Sequence, residues 1–419
     1  MEHSAEHIAI LLIQISIIFV SAKIAGEVCN RILKIPAVLG ELTVGLIIGP
    51  FALGAIQVPI LGSISGGISK DLITSTGNFV IPVVPEIWFL GQIGAVILLF
   101  SSGLETDLKL FLKYSRQAII VAIGGMALPF VLGLAVMVLF GYSSNFTDTQ
   151  AIFMGTVLTA TSIGITVRVL SEMKKLNSAD GITILGAAVI DDVLGILLLT
   201  IVVGITSTTG NITLTEISIL IIKTMGFWLG LTIIGKLLSN YISKIITKFH
   251  ADGAIVVLSL SLAFISSGVA EFFGLAMIIG AFSIGIALSG SELAKIIEKP
   301  MHSIYAIFVP IFFVTTGMLV DLSSIGSYWE FGLVLSIAGI IGKVLGSGIS
   351  GLIAGFKPKD SLKIGVGMLP RGEVALIMAT IGIASGVLTQ NLYGAVIMMT
   401  FVTTALAPIV LSYLYKNDN

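Results

Sequence analysis

Apolar runs long enough to cross a bilayer recur along the whole chain, and no other feature constrains its fold so strongly. Cutting at charged and Gly/Pro-rich turns leaves thirteen: 8–26, 35–50, 87–104, 116–140, 150–171, 181–205, 216–239, 254–271, 273–290, 303–320, 329–355, 363–384 and 390–414. The hydrocarbon core admits only helices or closed barrels, and continuous apolar runs of about 20 residues are the helical signature. The expected fold is therefore an all-α polytopic membrane protein with thirteen transmembrane helices. A mean hydropathy of +1.10 with 56% apolar and 11% charged residues excludes a water-soluble domain of 419 residues. MEHSAEH (1–7) carries no basic cluster, so the first run reads as a retained span and not a signal peptide. The single Cys29 excludes an internal disulfide, and a net charge of −1 gives no argument for a nucleic-acid partner. The connection 51–86, with Pro59, Pro82 and Pro85, reads as an external loop, with or without a short interfacial helix.

Lys and Arg then give an orientation, because the cytoplasmic side retains positive charge beside spanning segments. Alternate connections hold Arg31 and Lys34; Lys109, Lys113 and Arg116; Lys174 and Lys175; Lys236, Lys244 and Lys248; Lys295 and Lys299; Lys357, Lys359 and Lys363; and Lys416. The intervening connections hold Lys70 and almost nothing else. An outside N-terminus and a cytoplasmic C-terminus put every basic loop on one side of a cell membrane.

Two strings repeat. FSSGLETDL (100–108) resembles VTTGMLVDL (314–322), with Gly103 answering Gly317 and Asp107 answering Asp321. GAAVIDD (186–192) resembles YGAVIMM (393–399), so Asp191 and Asp192 answer Met398 and Met399. The third span thus corresponds to the tenth and the sixth to the thirteenth. Two six-helix repeats joined by a linker helix result, the second upside down, which is a plan suited to alternating access. Chance similarity between Gly- and Ala-rich helices is the alternative.

Asp191 and Asp192 stand side by side in GITILGAAVIDDVLGILLLTIVVG (181–204). Carboxylates at that depth are costly, so the pair reads as a cation and proton site. Lys343, near the middle of 331–355, either faces one of these carboxylates or snorkels to an interface. The fifth span carries Thr159, Thr161, Ser162 and Thr166 and ends in Arg168 and Glu172. Its hydroxyls either bond their own helix or serve as oxygen ligands for a hard cation. The twelfth span opens with VGMLPRGEVALIM (366–378), where Pro370 removes an amide donor and glycines loosen the helix. Both spans read as discontinuous helices whose ends can stabilise charge at the midplane. Arg371 and Glu373 either form a second buried pair or neutralise helix ends at the break. Glu105, Asp107 and Asp321 read as membrane-end groups, and Glu41 as a helix contact or part of the ion path.

Competition between a cation and protons for one carboxylate site suffices for exchange, provided the site never crosses bare. Two protons per sodium ion would move one net charge, worth ~2.3 kcal/mol per 100 mV of membrane potential. A channel is the alternative of another class, although inverted repeats with titratable midplane carboxylates favour stepwise exchange over continuous conduction. No metal-spaced His/Cys cluster, serine elbow or phosphate loop points to an enzyme or a cofactor. Patterns such as Gly226 to Gly230 could pack helices.

LGELTVGLIIGP (39–50), LLFSSGLETDL (98–108), TATSIGITVRVLSEM (159–173), VIDDVLGIL (189–197), FFVTTGM (312–318), GKVLG (342–346) and PRGEVALI (370–377) occur in order over nearly the whole chain. On these segments the sequence resembles the monovalent cation:proton antiporter-2 family, and within it the NapA-like sodium/proton antiporters. The resemblance implies a homodimer of thirteen-helix chains, in which two broken helices of a core cross beside the acidic pair and the core moves against a dimerisation domain. It implies Asp192 as principal ion and proton carboxylate, Asp191 as partner of Lys343, and Thr159, Thr161 and Ser162 in the first broken helix. The corresponding regions are 1–86 for dimer-domain helices and external loop, 87–205 for the first core half, 206–302 for linker and dimer-domain helices, 303–414 for the second core half, and 415–419 for a tail. Potassium-efflux relatives carry Gln-Asp in place of Asp191-Asp192 and continue into a nucleotide-binding domain, whereas this sequence ends at YLYKNDN. The implied function is an ungated electrogenic exchange of cytoplasmic sodium, or lithium, for external protons, with no cofactor and with membrane lipids as surroundings. A potassium/proton antiporter of the same fold is the alternative.

Overall fold

A computed structural model describes residues 2–55, 57–58, 62–63, 83–206, 214–273, 275–320 and 328–416. The helices are α1 (Glu2–Glu27), which runs into a π-helical turn (Val28–Leu33), α2 (Ala37–Ile48), α3 (Pro85–Glu105), α4 (Leu108–Lys113), α5 (Ser115–Leu139), α6 (Thr149–Thr159), α7 (Ile163–Glu172) and α8 (Ala179–Thr206). The second half holds α9 (Leu214–Ile246), α10 (Ala254–Phe272), α11 (Met277–Leu288), α12 (Glu292–Met318), α13 (Trp329–Ile353), α14 (Pro358–Gly367), α15 (Glu373–Ala384) and α16 (Gln390–Lys416). Counting α6 with α7 and α14 with α15 as interrupted spans, a helix stands at each of the thirteen expected positions. The chain is a multi-pass membrane protein: among the described residues, nine stretches are long and apolar enough to cross a bilayer.

Boundaries differ where hydropathy and helicity part company. α12 begins at Glu292, well before the expected 303, because Ser291 caps it by accepting from the Ala294 amide and its polar first turns continue unbroken through Pro300. α9 likewise runs on to Ile246 through Lys244. Among the described residues, the connection 51–86 holds a 3₁₀ turn (Leu53–Ala55) and a small antiparallel pairing of β1 (Gln57–Val58) with β2 (Gly62–Ser63); the expected interfacial helix falls outside the described residues. Asp107 caps α4 by accepting from the Lys109 and Leu110 amides, at 2.8 and 3.2 Å, which decides its role as structural. Asp321 lies outside the described residues.

The helices pack as two bundles. In one, α3 lies against α11 and α12, α12 against α2, and the pairs α1–α2 and α10–α11 complete the group. In the other, α5 lies against α13, α6 and α8, while α13 lies against α14 and α16. α9 packs mainly on α11. α3 and most of α12 thus lie in the first bundle. Hydropathy carries no information on which neighbour a buried helix selects.

This packing has a two-fold pattern that follows from the glycines. Gly45 of α2 meets Gly317 of α12, and Gly285 of α11 meets Gly103 of α3; in each pair a Cβ on either residue would collide with the facing backbone. Gly40 presses on the Ala25 carbonyl of α1 and Gly280 on the Ser266 carbonyl of α10. Gly40 and Gly45 therefore answer Gly280 and Gly285, on two helices of 12 residues each. Small residues let helix backbones approach closely in a membrane, where apolar burial alone gives no preference among neighbours. The second and ninth spans thus join the repeat, and the odd offset of seven spans turns one copy over. Gly226 and Gly230, by contrast, meet no atom within 4 Å.

Candidate ion-binding site

The two interrupted spans meet at their breaks. α6 ends at Thr159, Ala160 and Ser162 are extended (φ −54°, ψ 139° and φ −90°, ψ 107°), and α7 starts at Ile163. The other break covers Met368 to Gly372 between α14 and α15. The Ser162 amide donates to the Pro370 carbonyl at 2.8 Å, the Thr166 hydroxyl to the Gly367 carbonyl at 2.8 Å, and Thr161 Oγ1 to the Met368 carbonyl at 3.4 Å. Each break therefore satisfies backbone groups that the other leaves open, which is the condition for irregular chain at membrane depth. Gly372 suits this close approach: a Cβ would stand 2.8 Å from Ser162 Oγ and 3.0 Å from its Cβ. The first break contains neither Gly nor Pro, so tertiary bonds and not local propensity open that helix.

α8 brings Asp191 and Asp192 to this crossing, both buried at 2% and 5% exposure. Lys343 of α13, fully buried, donates to Asp191 Oδ2 at 3.0 Å and Oδ1 at 3.2 Å. The structure thus selects pairing over snorkelling for Lys343. Thr161 is also within reach of the Asp191 carboxylate. Thr159 instead donates to the Thr156 carbonyl of its own helix at 2.7 Å. Ser162 Oγ is buried without a hydrogen-bond partner among the described residues, which leaves its oxygen open for a ligand.

Arg371 bonds backbone carbonyls of two other elements. Its Nη1 donates to the Ala160 carbonyl at 2.7 Å and its Nη2 to the Gly339 carbonyl at 3.4 Å, while its own carbonyl accepts from Thr404. A guanidinium thus meets the carbonyl end of α6, where the helix dipole is negative. The expected pair with Glu373 rests on a side chain outside the described residues.

A cleft reaches this region from the seam between the bundles, lined among others by Leu42, Thr43, Thr316, Arg371, Gly372 and Thr400. On another part of the seam, a polar cluster that sequence reasoning did not assemble joins Glu41, Arg168, Glu172 and Tyr305. Its available signal was Arg168, an intramembrane cation four residues before Glu172. Among the described residues, no group of three or more His, Cys, Asp or Glu side chains could hold a metal ion. The arrangement offers paired carboxylates, one already bound to an ammonium, beside open helix ends and hydroxyl oxygens. It can trade protons for a small hard cation.

Residues 16–416 match the profile of the transmembrane sodium/hydrogen exchanger family. The chain is 37% identical over 414 residues to the high-affinity Na⁺/H⁺ antiporter NhaS3 of Synechocystis sp., covering 95% of this chain and 88% of that protein. It is 34% identical over 403 residues to the Na⁺/H⁺-K⁺ antiporter GerN of Bacillus cereus, covering 96% and 95%. The structure of the sodium proton antiporter MjNhaP1 from Methanocaldococcus jannaschii superposes with a TM-score of 0.71 at 19% identity, covering 96% and 95% of the two chains.

Proposed function

The chain belongs to the transmembrane sodium/hydrogen exchanger family, and from that premise we propose that it is an electrogenic antiporter of the NapA-like branch, exchanging sodium or lithium ions for protons at Asp191 and Asp192. Sodium/proton antiport is a secondary transport and not an enzymatic reaction. The observation that carries the site assignment is the ion pair of Lys343 with Asp191 at the crossing of the two breaks, which commits one carboxylate and sets Asp192 beside it. In this reading Asp192 is the principal carrier, Thr161 and Ser162 supply oxygens nearby, and Thr159 supports α6. Arg371 holds the first break in shape.

The bundle of α1 to α3 and α10 to α12 is the static, dimer-forming part, and the bundle of α5 to α8 and α13 to α16 is the part that moves. The packing supports this division, since each bundle is closely packed within itself and the seam between them holds a cleft. The N-terminus faces outward and the C-terminus the cytoplasm, supported by the basic residues at alternate helix ends. A loaded site crosses the membrane and a bare one does not, because uncompensated charge at that depth is costly.

Proton flux from proteoliposomes under imposed sodium, lithium or potassium gradients, with the membrane potential clamped and then released, tests the reading. Sodium-driven counterflow that responds to the potential is expected. Potassium exchange is the second reading, motivated by the 34% identity to a Na⁺/H⁺-K⁺ antiporter. Potassium-driven or potential-insensitive flux would favour it and leave Asp191 a structural partner only.

A further inference from the structure

The polar cluster on the seam joins elements of different bundles. Arg168 of α7 places Nη2 3.5 Å from Glu41 Oε1 of α2 and Nε 2.6 Å from Glu172 Oε1. Its guanidinium covers the Tyr305 ring of α12 at 5.2 Å. Glu172 in turn accepts from the amide of Ala37, the first residue of α2, at 3.2 Å. One short helix of the second bundle therefore grips the first bundle at a buried carboxylate, a helix start and an aromatic face. Apart from this grip the packing of α7 on α2 is thin.

The energetics of Glu41 make the grip specific. Its side chain is 3% exposed, Oε1 faces Arg168, and Oε2 has no hydrogen-bond partner among the described residues. A buried carboxylate held by one cation is strongly penalised when that cation leaves. Neutral contacts also cross the seam, Asn177 donating to the Glu105 carbonyl at 2.8 Å and accepting from the Asp107 amide at 2.9 Å, whereas the cleft is lined mainly by Leu39, Leu42, Leu46, Val320, Leu376 and Phe401, with threonines and Arg371 between them. One stretch of the seam is closed by charge, and another is open.

We infer that Arg168 is a positioning residue for transport, clasping Glu41 and Glu172 so as to hold the two bundles in the facing seen here. The inference rests on the reading of the bundles as parts that slide past one another. Arg168 and Glu172 travel with α7 whereas Glu41, Ala37 and Tyr305 stay, so all three contacts break together in any displacement of several ångströms. The clasp therefore sets the population of this facing relative to the other without touching the transported ion.

The test uses the full chain in proteoliposomes with Cys29→Ser and Thr43→Cys, since Thr43 is exposed and lines the cleft. The rate of labelling by a membrane-impermeant maleimide is measured with and without sodium. In the parent, a rate that changes with sodium reports bundle movement. Adding Glu41→Gln with Arg168→Gln removes both charges at once, and the labelling rate is expected to fall at least threefold, with Arg168→Lys alone falling less. Glu172→Gln, which leaves the Glu41 contact in place, should give a smaller drop and serves if the double variant does not fold. A sodium-responsive parent whose clasp variants label at the parental rate overturns the clasp and leaves the moving bundles standing. A parent that does not respond to sodium overturns the moving-bundle reading, and the clasp with it.

Discussion

Lys343 and Asp191 hold each other where neither could stay alone. Breaking a buried pair by removing one partner costs about 3–5 kcal/mol, chiefly because a charge is left uncompensated. Lys343→Ala should therefore lower stability by that order in thermal melts of the solubilised protein, and Asp191→Asn with Lys343→Met should recover most of the loss. Asp192→Asn preserves shape while removing titration; sodium-dependent proton flux should vanish with melting nearly unchanged, and retained flux would remove Asp192 from the carrier role. Arg371→Met strips a donor from the Ala160 carbonyl, and an unsatisfied buried acceptor costs about 1–3 kcal/mol; an unchanged melt would show that water replaces the guanidinium there. The Lys343 pair was legible in the sequence because an intramembrane ammonium narrows its partners to very few. The partners of Arg371 were not, since its acceptors are backbone carbonyls, which every residue carries. Glu41 and Arg168 stayed unpaired on paper because each lies on a different span and nothing local relates them.

At the scale of elements, glycines decide which helices touch. Gly45→Ala and Gly285→Ala place a methyl against facing backbone in corresponding settings. Overpacking of this kind costs about 1–3 kcal/mol, and the two variants should lose similar amounts in the same melting assay; a large loss in one alone would argue against the correspondence of α2 with α11. Apolar runs were sufficient to locate the helices and the interrupted spans. They were insufficient to place helix ends, because the polar turns of α12 before residue 303 are helical for reasons of capping and propensity, and hydropathy does not register those. The first break was legible only through its hydroxyls, while its cause, the bonds from Ser162 and Arg371 to the other break, is tertiary.

For the whole molecule, two inverted copies packed through matched glycines make two facings of closely similar construction. The proposed dimer through the first bundle predicts that the solubilised chain sediments as two copies, and that variants of the second bundle such as Asp192→Asn leave that mass unchanged; a monomer would detach the dimer from the proposal. The repeat also fixes where the copies fail to match. Aligning Gly40 with Gly280 sets Glu41 against Ala281, just as Asp191 and Asp192 stand against Met398 and Met399. The scaffold is thus a balanced lever, and its two ends carry unequal weights made of different residues. Those proposed to bind the ion lie at the crossing of the breaks, whereas Glu41 lies on the seam, so under the inferred clasp the resting tilt of the lever is retuned by substitution without disturbing the chemistry at its pivot.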